Sequence, residues 1–201
     1  MNRPAGPPNW EQLYQEKPVE QINWYYPELE VDIIAAFKEF GIHSGDVLDL
    51  GTGPGTMAIA LAKLGFIVTA TDISSTAIQL AISKAALEGV KIDFRQDDIV
   101  DTKLATEFDY IFDRGCFHAI AADKRSTYVI NVSQLLKSKG ILILKCFSHK
   151  EQGPGPSRFT PEQIEAYFKG QFQILTIQET EFQVLRETKP KALLCVMKKL
   201  S

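Results

Sequence analysis

A glycine-rich turn between two acidic residues is the part of this sequence whose residue types and spacing most clearly predict chemistry. Asp49 lies at the end of a short apolar strand, and the turn G-T-G-P-G follows at residues 51–55. Glycine lets a backbone approach a ligand closely, because it has no side chain that could clash. About 20 residues further on, a second apolar strand ends in Asp72, and an acid there suits the two hydroxyls of a ribose. The spacing therefore predicts a nucleoside-binding site at the carboxyl ends of two parallel strands.

The details of the turn favour a nucleoside without phosphate groups. A nicotinamide site usually has the spacing G-x-G-x-x-G and holds a pyrophosphate at a helix N-terminus. Here the glycines are Gly51, Gly53 and Gly55, and Thr56 stands where the usual third glycine would be. The carboxylate of Asp49 would repel a pyrophosphate, but it would attract a cation in a partly dry site. S-adenosylmethionine fits this site, because it carries an ammonium group, a sulfonium and a ribose but no phosphate.

The run V-L-D-L-G-T-G-P-G at residues 47–55 resembles the first motif of the class I S-adenosylmethionine-dependent methyltransferases. The resemblance extends over roughly residues 45–148. It implies a seven-stranded sheet in the order 3-2-1-4-5-7-6, with the last strand antiparallel. It also implies that Asp49 and the three glycines hold the methionine end of the cofactor, while Asp72 holds the ribose.

The same resemblance implies roles for residues after the next two strands. Asp98 would accept a hydrogen bond from the adenine amino group, and the backbone amide of Ile99 would meet the adenine ring. Ile73, directly after Asp72, would lie against the face of that ring. Asp113 ends the fourth predicted strand, beside the place where the methionine and the methyl acceptor should meet.

Strands and helices alternate along most of the chain, which is typical of an α/β fold with a doubly wound sheet. The predicted strands cover residues 46–50, 66–71, 91–95, 108–112 and 141–147, and the predicted helices cover residues 28–40, 56–64, 74–88, 123–136 and 160–169. Asp123 is predicted to cap the fourth of these helices, and Gly140 to end it. Two further strands, 172–182 and 192–198, have no helix between them, so they should pair antiparallel at the edge of the sheet.

We therefore expect a single Rossmann-like domain with an N-terminal helical lid. Residues 1–40 would form the lid segment and its helix, and residues 41–201 would form the methyltransferase domain. In the resembled proteins such a segment folds over the cofactor. Trp10, Tyr14 and Trp24 are predicted to enclose the sulfonium, because aromatic faces attract cations.

The residues after the fourth strand favour a small methyl acceptor. The sequence lacks the N-P-P-Y or D-P-P-Y type of tetrapeptide with which amino-directed DNA and RNA methyltransferases hold an extruded amine. The run D-R-G-C-F-H-A-I at residues 113–120, followed by Arg125 and Tyr128, resembles small-molecule methyltransferases of the thiopurine, thiol and tellurite-resistance type. So does the run W-E-Q-L-Y at residues 10–14. This resemblance implies direct displacement of the methyl group by a thiol, another chalcogen or an aromatic hydroxyl.

His118 is the best candidate for a general base, since the pKa of a histidine lies near neutral pH. His149, after the fifth strand, is the second candidate. A thiol or an acidic phenol can ionise without help, so the reaction does not require such a base.

Composition and charge narrow the range of partners. The 201 residues carry a net charge of −3, so no strong positive field draws in a nucleic acid. The longest apolar runs have only the length of strands, and the N-terminus lacks the apolar core of a signal peptide, so a cytoplasmic protein without a membrane span is predicted. The cysteines and histidines are scattered without ligand spacing, so neither a disulfide nor a metal site is expected.

Three alternatives remain open at the level of the sequence. A protein or RNA methyltransferase would keep the same cofactor site but would need a basic or open acceptor cleft. A non-catalytic protein that senses S-adenosylmethionine would keep the nucleoside site without transferring a methyl group. A nicotinamide-dependent oxidoreductase would instead bind a dinucleotide at the glycine turn.

Overall fold

A computed structural model describes residues 8–200, and a seven-stranded mixed sheet forms its centre. The strands are β1 (Asp46–Leu50), β2 (Ile67–Asp72), β3 (Asp93–Gln96), β4 (Phe108–Arg114), β5 (Leu136–Phe147), β6 (Phe172–Glu181) and β7 (Lys191–Lys199). Their order in the sheet is β3-β2-β1-β4-β5-β7-β6, which confirms the order that the family resemblance implied. Strands β1 to β5 run parallel, and β7 is antiparallel to both β5 and β6.

The α-helices pack on both faces of this sheet. They are α1 (Trp10–Glu16), α2 (Val31–Glu39), α3 (Thr56–Lys63), α4 (Ser75–Leu87), α5 (Arg125–Leu135) and α6 (Pro161–Phe168). The winding of the chain reverses between β1 and β4, and ligands of such sheets bind at the carboxyl ends of the strands beside this point. The predicted site residues follow these strand ends.

Alternation along the strands assigns each side chain to one of two hydrophobic cores. On β5, Leu142 and Leu144 pack in the core beneath α5 and α6, whereas Ile143 packs in the core with α2 and α3. Successive side chains of a strand point to opposite faces of the sheet. By the same alternation Asp113 belongs to the α5 side and Arg114 to the α2 side.

Two local predictions around α5 are wrong. A turn of 3-10 helix at Ala122–Lys124 precedes α5, so Asp123 lies inside that turn and no side chain caps the helix. The helix already ends at Leu135, and Gly140 lies within β5. A Cβ atom on Gly140 would lie 3.1 Å from the carbonyl oxygen of Asp109, so the glycine permits close packing of β5 against β4.

Local signals at two other helices are confirmed. Thr160 and Gln163 form a reciprocal capping box at the start of α6, with proline at the first helical position. Ser74 caps α4 by accepting a hydrogen bond from the Ala77 amide at 3.1 Å. In the part of the chain that the structure describes, no helix is both long enough and apolar enough to cross a membrane.

Candidate cofactor and active site

The turn between β1 and α3 adopts a backbone that only glycine accommodates easily. Gly51, Gly53 and Gly55 all have left-handed φ angles, of 70°, 54° and 77°. A Cβ atom on Gly53 would lie 2.7 Å from the hydroxyl oxygen of Tyr14. A Cβ atom on Gly55 would lie 2.8 Å from the Cβ atom of Ala81. Gly53 and Gly55 therefore allow α1 and α4 to approach the turn closely, and all three glycines leave the backbone groups of the turn free of side chains.

Asp49 is a buried carboxylate directly before this turn. It is 2% exposed and accepts a hydrogen bond from the Thr52 hydroxyl at 2.6 Å. Burial raises the pKa of Asp49 to about 7, against the opposing effect of the Thr52 hydrogen bond. The neighbouring carboxylates of Asp113 and Asp72 contribute to this rise. Among residues 8–200, which the structure describes, no cationic side chain pairs with Asp49, and a positive group on a ligand would favour its ionised form.

We expect binding of S-adenosylmethionine to tighten by about tenfold between about pH 6 and about pH 8. With a pKa near 7, the protonated form of Asp49 stabilises the unliganded fold below pH 7, and this contribution is lost as the pH rises through 7. The ligand's ammonium group favours the ionised form, so binding at low pH must first release a proton. Isothermal titration calorimetry across this range measures the effect.

The Asp49→Asn variant is the control for this pH dependence. Burial also raises the pKa of Asp72, so only the difference between the wild type and the variant reports on Asp49. The variant should bind more weakly with a flatter pH profile. Equal slopes in the two proteins would contradict the assignment of the titration to Asp49.

Asp72 is held by the backbone on both sides of the site. Its Oδ2 accepts a hydrogen bond from the Gly53 amide at 2.9 Å, and its Oδ1 accepts one from the Ser74 amide at 2.9 Å. Each carboxylate oxygen can accept a further hydrogen bond. Two such free positions on a fixed, largely buried carboxylate match the two vicinal hydroxyls of a ribose.

Asp98, Ile99 and Ile73 lie on two adjacent loops beside Asp72. The amide of Asp97 donates to the carbonyl oxygen of Asp72 at 3.0 Å, so the loops after β2 and β3 are bonded to each other. Oδ1 of Asp98 accepts from the Val100 amide at 3.0 Å, which leaves Oδ2 available. The side chain of Ile99 is buried, whereas that of Ile73 is 49% exposed. An exposed isoleucine next to a free carboxylate oxygen offers an apolar surface and a hydrogen-bond acceptor to a planar base.

The N-terminal segment lies over the glycine turn. Tyr14 packs with Ile22 and with Ala77 of α4, and its hydroxyl lies against Gly53. Burial and the charge of Asp72 raise the pKa of the Tyr14 hydroxyl above its usual range. The indole rings of Trp10 and Trp24 pack edge to face, with their centroids 5.6 Å apart. The structure thus brings all three predicted aromatic residues to one segment next to the cofactor turn.

Glu11 bonds this segment to the start of α4. It accepts hydrogen bonds from the hydroxyls of Thr76 at 2.5 Å, Ser74 at 2.7 Å and Ser75 at 3.2 Å, and from the Thr76 amide at 3.2 Å. These hydrogen bonds lower the pKa of Glu11 to about 2, and the bond from the Thr76 hydroxyl has the largest effect. A carboxylate at a helix N-terminus is also favoured by the helix dipole. Ser74 donates to both Glu11 and Asp72, so the segment is bonded to the same residue as the predicted ribose acid.

The carboxylate of Asp113 is buried and accepts hydrogen bonds from groups of the protein itself. It accepts hydrogen bonds from the Cys116 amide at 2.8 Å, the Phe117 amide at 3.0 Å and the Tyr128 hydroxyl at 2.5 Å. Burial raises its pKa to about 6. These partners surround a side chain that is 0% exposed, so the geometry favours a role in shaping the turn after β4 over the predicted direct contact with the cofactor. That turn reaches the site through Cys116, whose Cβ would lie 3.0 Å from a Cβ on Gly51.

The surroundings of His118 oppose its predicted role as a general base. Its Nδ1 accepts a hydrogen bond from the Phe147 amide at 3.1 Å, and its ring stacks on that of Phe147 with centroids 4.4 Å apart. Burial, together with the charges of the nearby arginines, Arg114 first, lowers the pKa of His118 to about 3. A neutral imidazole whose acceptor nitrogen is already bonded takes up a proton poorly at neutral pH. His149 lies exposed on the loop after β5.

A buried charge cluster near the end of β5 was missed by sequence reasoning. Glu30 accepts hydrogen bonds from Nζ of Lys145 at 2.5 Å and from Nε of Arg114, and Lys145 also contacts Asp32 at 2.6 Å. The side chains of Glu30 and Lys145 are both 0% exposed. The signal was present in the sequence, because Lys145 interrupts an apolar strand that is buried on both faces, and a buried lysine needs a charged partner.

Arg114 of this cluster bonds three separate segments to one another. Besides Glu30, it donates to the carbonyl oxygens of Trp24 at 3.1 Å and of Gln183 at 2.7 Å. Its guanidinium also lies over the Phe182 ring, 5.1 Å from the centroid. The N-terminal segment, the end of β4 and the segment after β6 are therefore fixed around the side of the site opposite to α4.

Comparisons with known proteins bear on the family and on the fold. A family model described as a methyltransferase domain matches residues 47–140. An uncharacterized methyltransferase of Schizosaccharomyces pombe is 36% identical over 104 residues, which cover 51% of this chain and 72% of that protein. The human EEF1A lysine methyltransferase 2 is 39% identical over 117 residues, which cover 53% of this chain and 49% of that protein.

A solved structure shows how far the fold itself is shared. A SAM-dependent methyltransferase from Anabaena variabilis matches with a TM-score of 0.77, covering 100% of this chain and 99% of that one at 22% sequence identity. That likeness shows the fold alone. Together with the fission yeast relative and the matched domain, it leads to one conclusion. This chain belongs to the class I methyltransferases and is an enzyme that uses S-adenosylmethionine.

Proposed function

We propose that this enzyme transfers the methyl group of S-adenosylmethionine to a small-molecule acceptor by direct displacement. The acceptor is a thiol, another chalcogen nucleophile or an aromatic hydroxyl. The observation that carries the proposal is the position of the N-terminal segment. Glu11 bonds it to α4 on one side of the cofactor turn, and its Trp24 carbonyl is bonded to Arg114 on the other. This segment is the proposed lid.

The proposed cofactor contacts follow the geometry of the site. Asp49 and the turn at residues 51–55 hold the methionine end, and Asp72 binds the ribose hydroxyls. The adenine lies between the exposed side chain of Ile73 and the Asp98–Ile99 loop. The lid aromatics surround the sulfonium, to which aromatic faces contribute attraction of about 1 kcal/mol or more when the site is dry. These lid aromatics are Trp10, Tyr14 and Trp24.

The closed side of the site suits a small acceptor. Arg114 fixes the lid to the end of β4 and to the segment after β6 through hydrogen bonds to Trp24 and Gln183. An acceptor must therefore fit between segments that are already bonded to one another. Such enclosure excludes water and aligns donor with acceptor, and these two effects supply most of the rate in a displacement that needs little acid or base chemistry.

In this proposal His118 acts as a positioning residue. Its imidazole fixes the amide of Phe147, and its backbone carbonyl accepts a hydrogen bond from the Ser157 amide at 3.1 Å. It thereby connects the turn after β4 to the loop after β5. A thiol acceptor needs no base, because a useful fraction of it is ionised near neutral pH. A thiol acceptor therefore agrees with the lowered pKa of His118 better than an alkyl alcohol would.

A label-transfer assay tests the proposed acceptor class. Purified enzyme is incubated with methyl-labelled S-adenosylmethionine and a panel that contains aryl thiols, alkyl thiols, selenide and phenols. We expect transfer to at least one thiol or chalcogen, and loss of that transfer in the Asp72→Ala variant. Absence of transfer to every small molecule, together with transfer to a protein, would overturn the proposal.

A protein lysine is the second candidate acceptor. It is favoured by the 39% identity to the human EEF1A lysine methyltransferase 2, although this chain spans about half of that protein. The same assay with elongation factor 1A as acceptor separates the two candidates. A lysine acceptor must lose a proton before it attacks, so its rate should rise steeply with pH above neutrality, whereas the rate with an acidic aryl thiol should not.

A further inference from the structure

The loop after β3 is bonded to the rest of the protein at few points. Asp97 donates its amide to the Asp72 carbonyl and accepts from the Lys103 amide at 2.8 Å. Asp98 caps the 3-10 turn Ile99–Asp101 with its own side chain. These bonds shape the loop internally and fix its first residue, but they do not hold the Ile99 peptide against the body of the domain.

Besides the packing of the Ile99 side chain in the core, one polar side chain of α5 holds this peptide. Nδ2 of Asn131 donates to the carbonyl oxygen of Ile99 at 2.7 Å. Directly beside this bond, residues 100–107 and α5 surround a surface cavity of about 410 Å³. The Ile99 side chain packs in the core with residues of α5, whereas the loop beyond Ile99 borders this cavity. The hydrogen bond from Asn131 is therefore the polar contact that orients the Ile99 carbonyl.

The loop after β2 has a similar contact. Nε2 of Gln96 donates to the carbonyl oxygen of Ile73 at 3.0 Å. Two amide side chains thus hold the backbone carbonyls of the two residues between which the adenine is proposed to bind. The bond from Gln96 is exposed, whereas the bond from Asn131 is partly buried. A buried hydrogen bond costs more to lose, because water cannot replace it.

We propose that Asn131 is a positioning residue for adenine recognition, and that Gln96 supports it from the other side. This inference rests on the proposed assignment of the adenine to Asp98 and Ile99. By holding the Ile99 carbonyl, Asn131 aims the Ile99 amide at the ring and the free oxygen of Asp98 at the exocyclic amino group. Losing Asn131 should therefore weaken discrimination at the adenine edge more than binding in general.

The test compares two ligands that differ only at that edge. Calorimetry gives the Kd of S-adenosylhomocysteine and of S-inosylhomocysteine, in which a carbonyl replaces the amino group and can no longer donate to Asp98. Wild-type enzyme should prefer the adenosyl ligand by tenfold or more. Asn131→Leu should reduce that preference by about fivefold, through weaker adenosyl binding and nearly unchanged inosyl binding. Gln96→Leu should reduce it by about twofold.

Gln134→Leu is the matched control, because Gln134 lines the same cavity from the same helix. It should leave both dissociation constants unchanged, and thermal melting shows that each variant is folded. An equal loss for both ligands in Asn131→Leu, or no loss at all, would overturn the inference, as would a wild type without a preference. None of these outcomes depends on methyl transfer, so the acceptor assignment stands or fails separately.

Discussion

The Asp72→Ala variant should bind S-adenosylhomocysteine about a hundredfold more weakly than the wild type, because it loses two hydrogen bonds to the ribose. Each hydrogen bond to a largely buried carboxylate is worth about 1.5 kcal/mol or more. The substitution also removes the acceptor for the Gly53 amide, so the glycine turn itself becomes less well fixed. Isothermal titration calorimetry at pH 7.5 measures the change, and circular dichroism checks the fold.

Asp101→Ala is the matched control for this loss. Asp101 is an aspartate of the neighbouring loop after β3, but its side chain is 80% exposed and pairs with Lys103 at the surface. Its removal should change the Kd less than twofold, since exposed ion pairs contribute little. An Asp72→Ala protein that is folded and binds with wild-type affinity would show that the ribose lies elsewhere.

The geometry of the candidate cofactor site could be predicted from the sequence because its determinants are local. The glycines of the turn need left-handed backbone angles, and Asp49 and Asp72 end strands whose register places them at one edge of the sheet. Strand order also followed from the family motif. The turn and the two strand ends are each short segments of the chain, so the sequence pattern indicates them, and the structure brings these residues together.

The acceptor half could not be predicted, because its determinants are distant contacts. In the sequence, Asp113 and His118 are polar residues at the end of a strand or just after it. Structural and functional residues give the same pattern at such positions, so the sequence does not distinguish them. Only the fold shows that the amides of residues 116, 117 and 147 and the Tyr128 hydroxyl occupy their polar atoms. The partnership of Glu30 with Lys145 joins residues 115 positions apart, so no local pattern indicates it.

The Lys145→Met variant should lower the free energy of unfolding by about 3 to 5 kcal/mol, because it leaves buried carboxylates with too little compensating charge. Glu30 would keep Arg114 as its partner, but Asp32 would lose its cation. The Glu30→Gln variant should lower the free energy of unfolding by a similar amount, because it leaves the cluster with an excess positive charge instead of a negative one. Urea denaturation followed by circular dichroism gives both values. Lys63→Met is the control, since its pair with Glu88 is exposed and should cost less than about 1 kcal/mol.

The double variant Glu30→Gln/Lys145→Met decides whether charge pairing or packing causes these losses. The cluster contains two acids and two bases, Glu30 and Asp32 with Arg114 and Lys145. Each single substitution gives the cluster a net charge of one sign, whereas the double substitution leaves Asp32 and Arg114, so that the net charge of the cluster is again zero although these two do not contact each other. The double variant should therefore lose at least 1 kcal/mol less than the sum of the two single losses. Additive losses would mean that each side chain stabilises the fold through its own packing, and the N-terminal segment would then be fixed by shape rather than by the charges around Arg114.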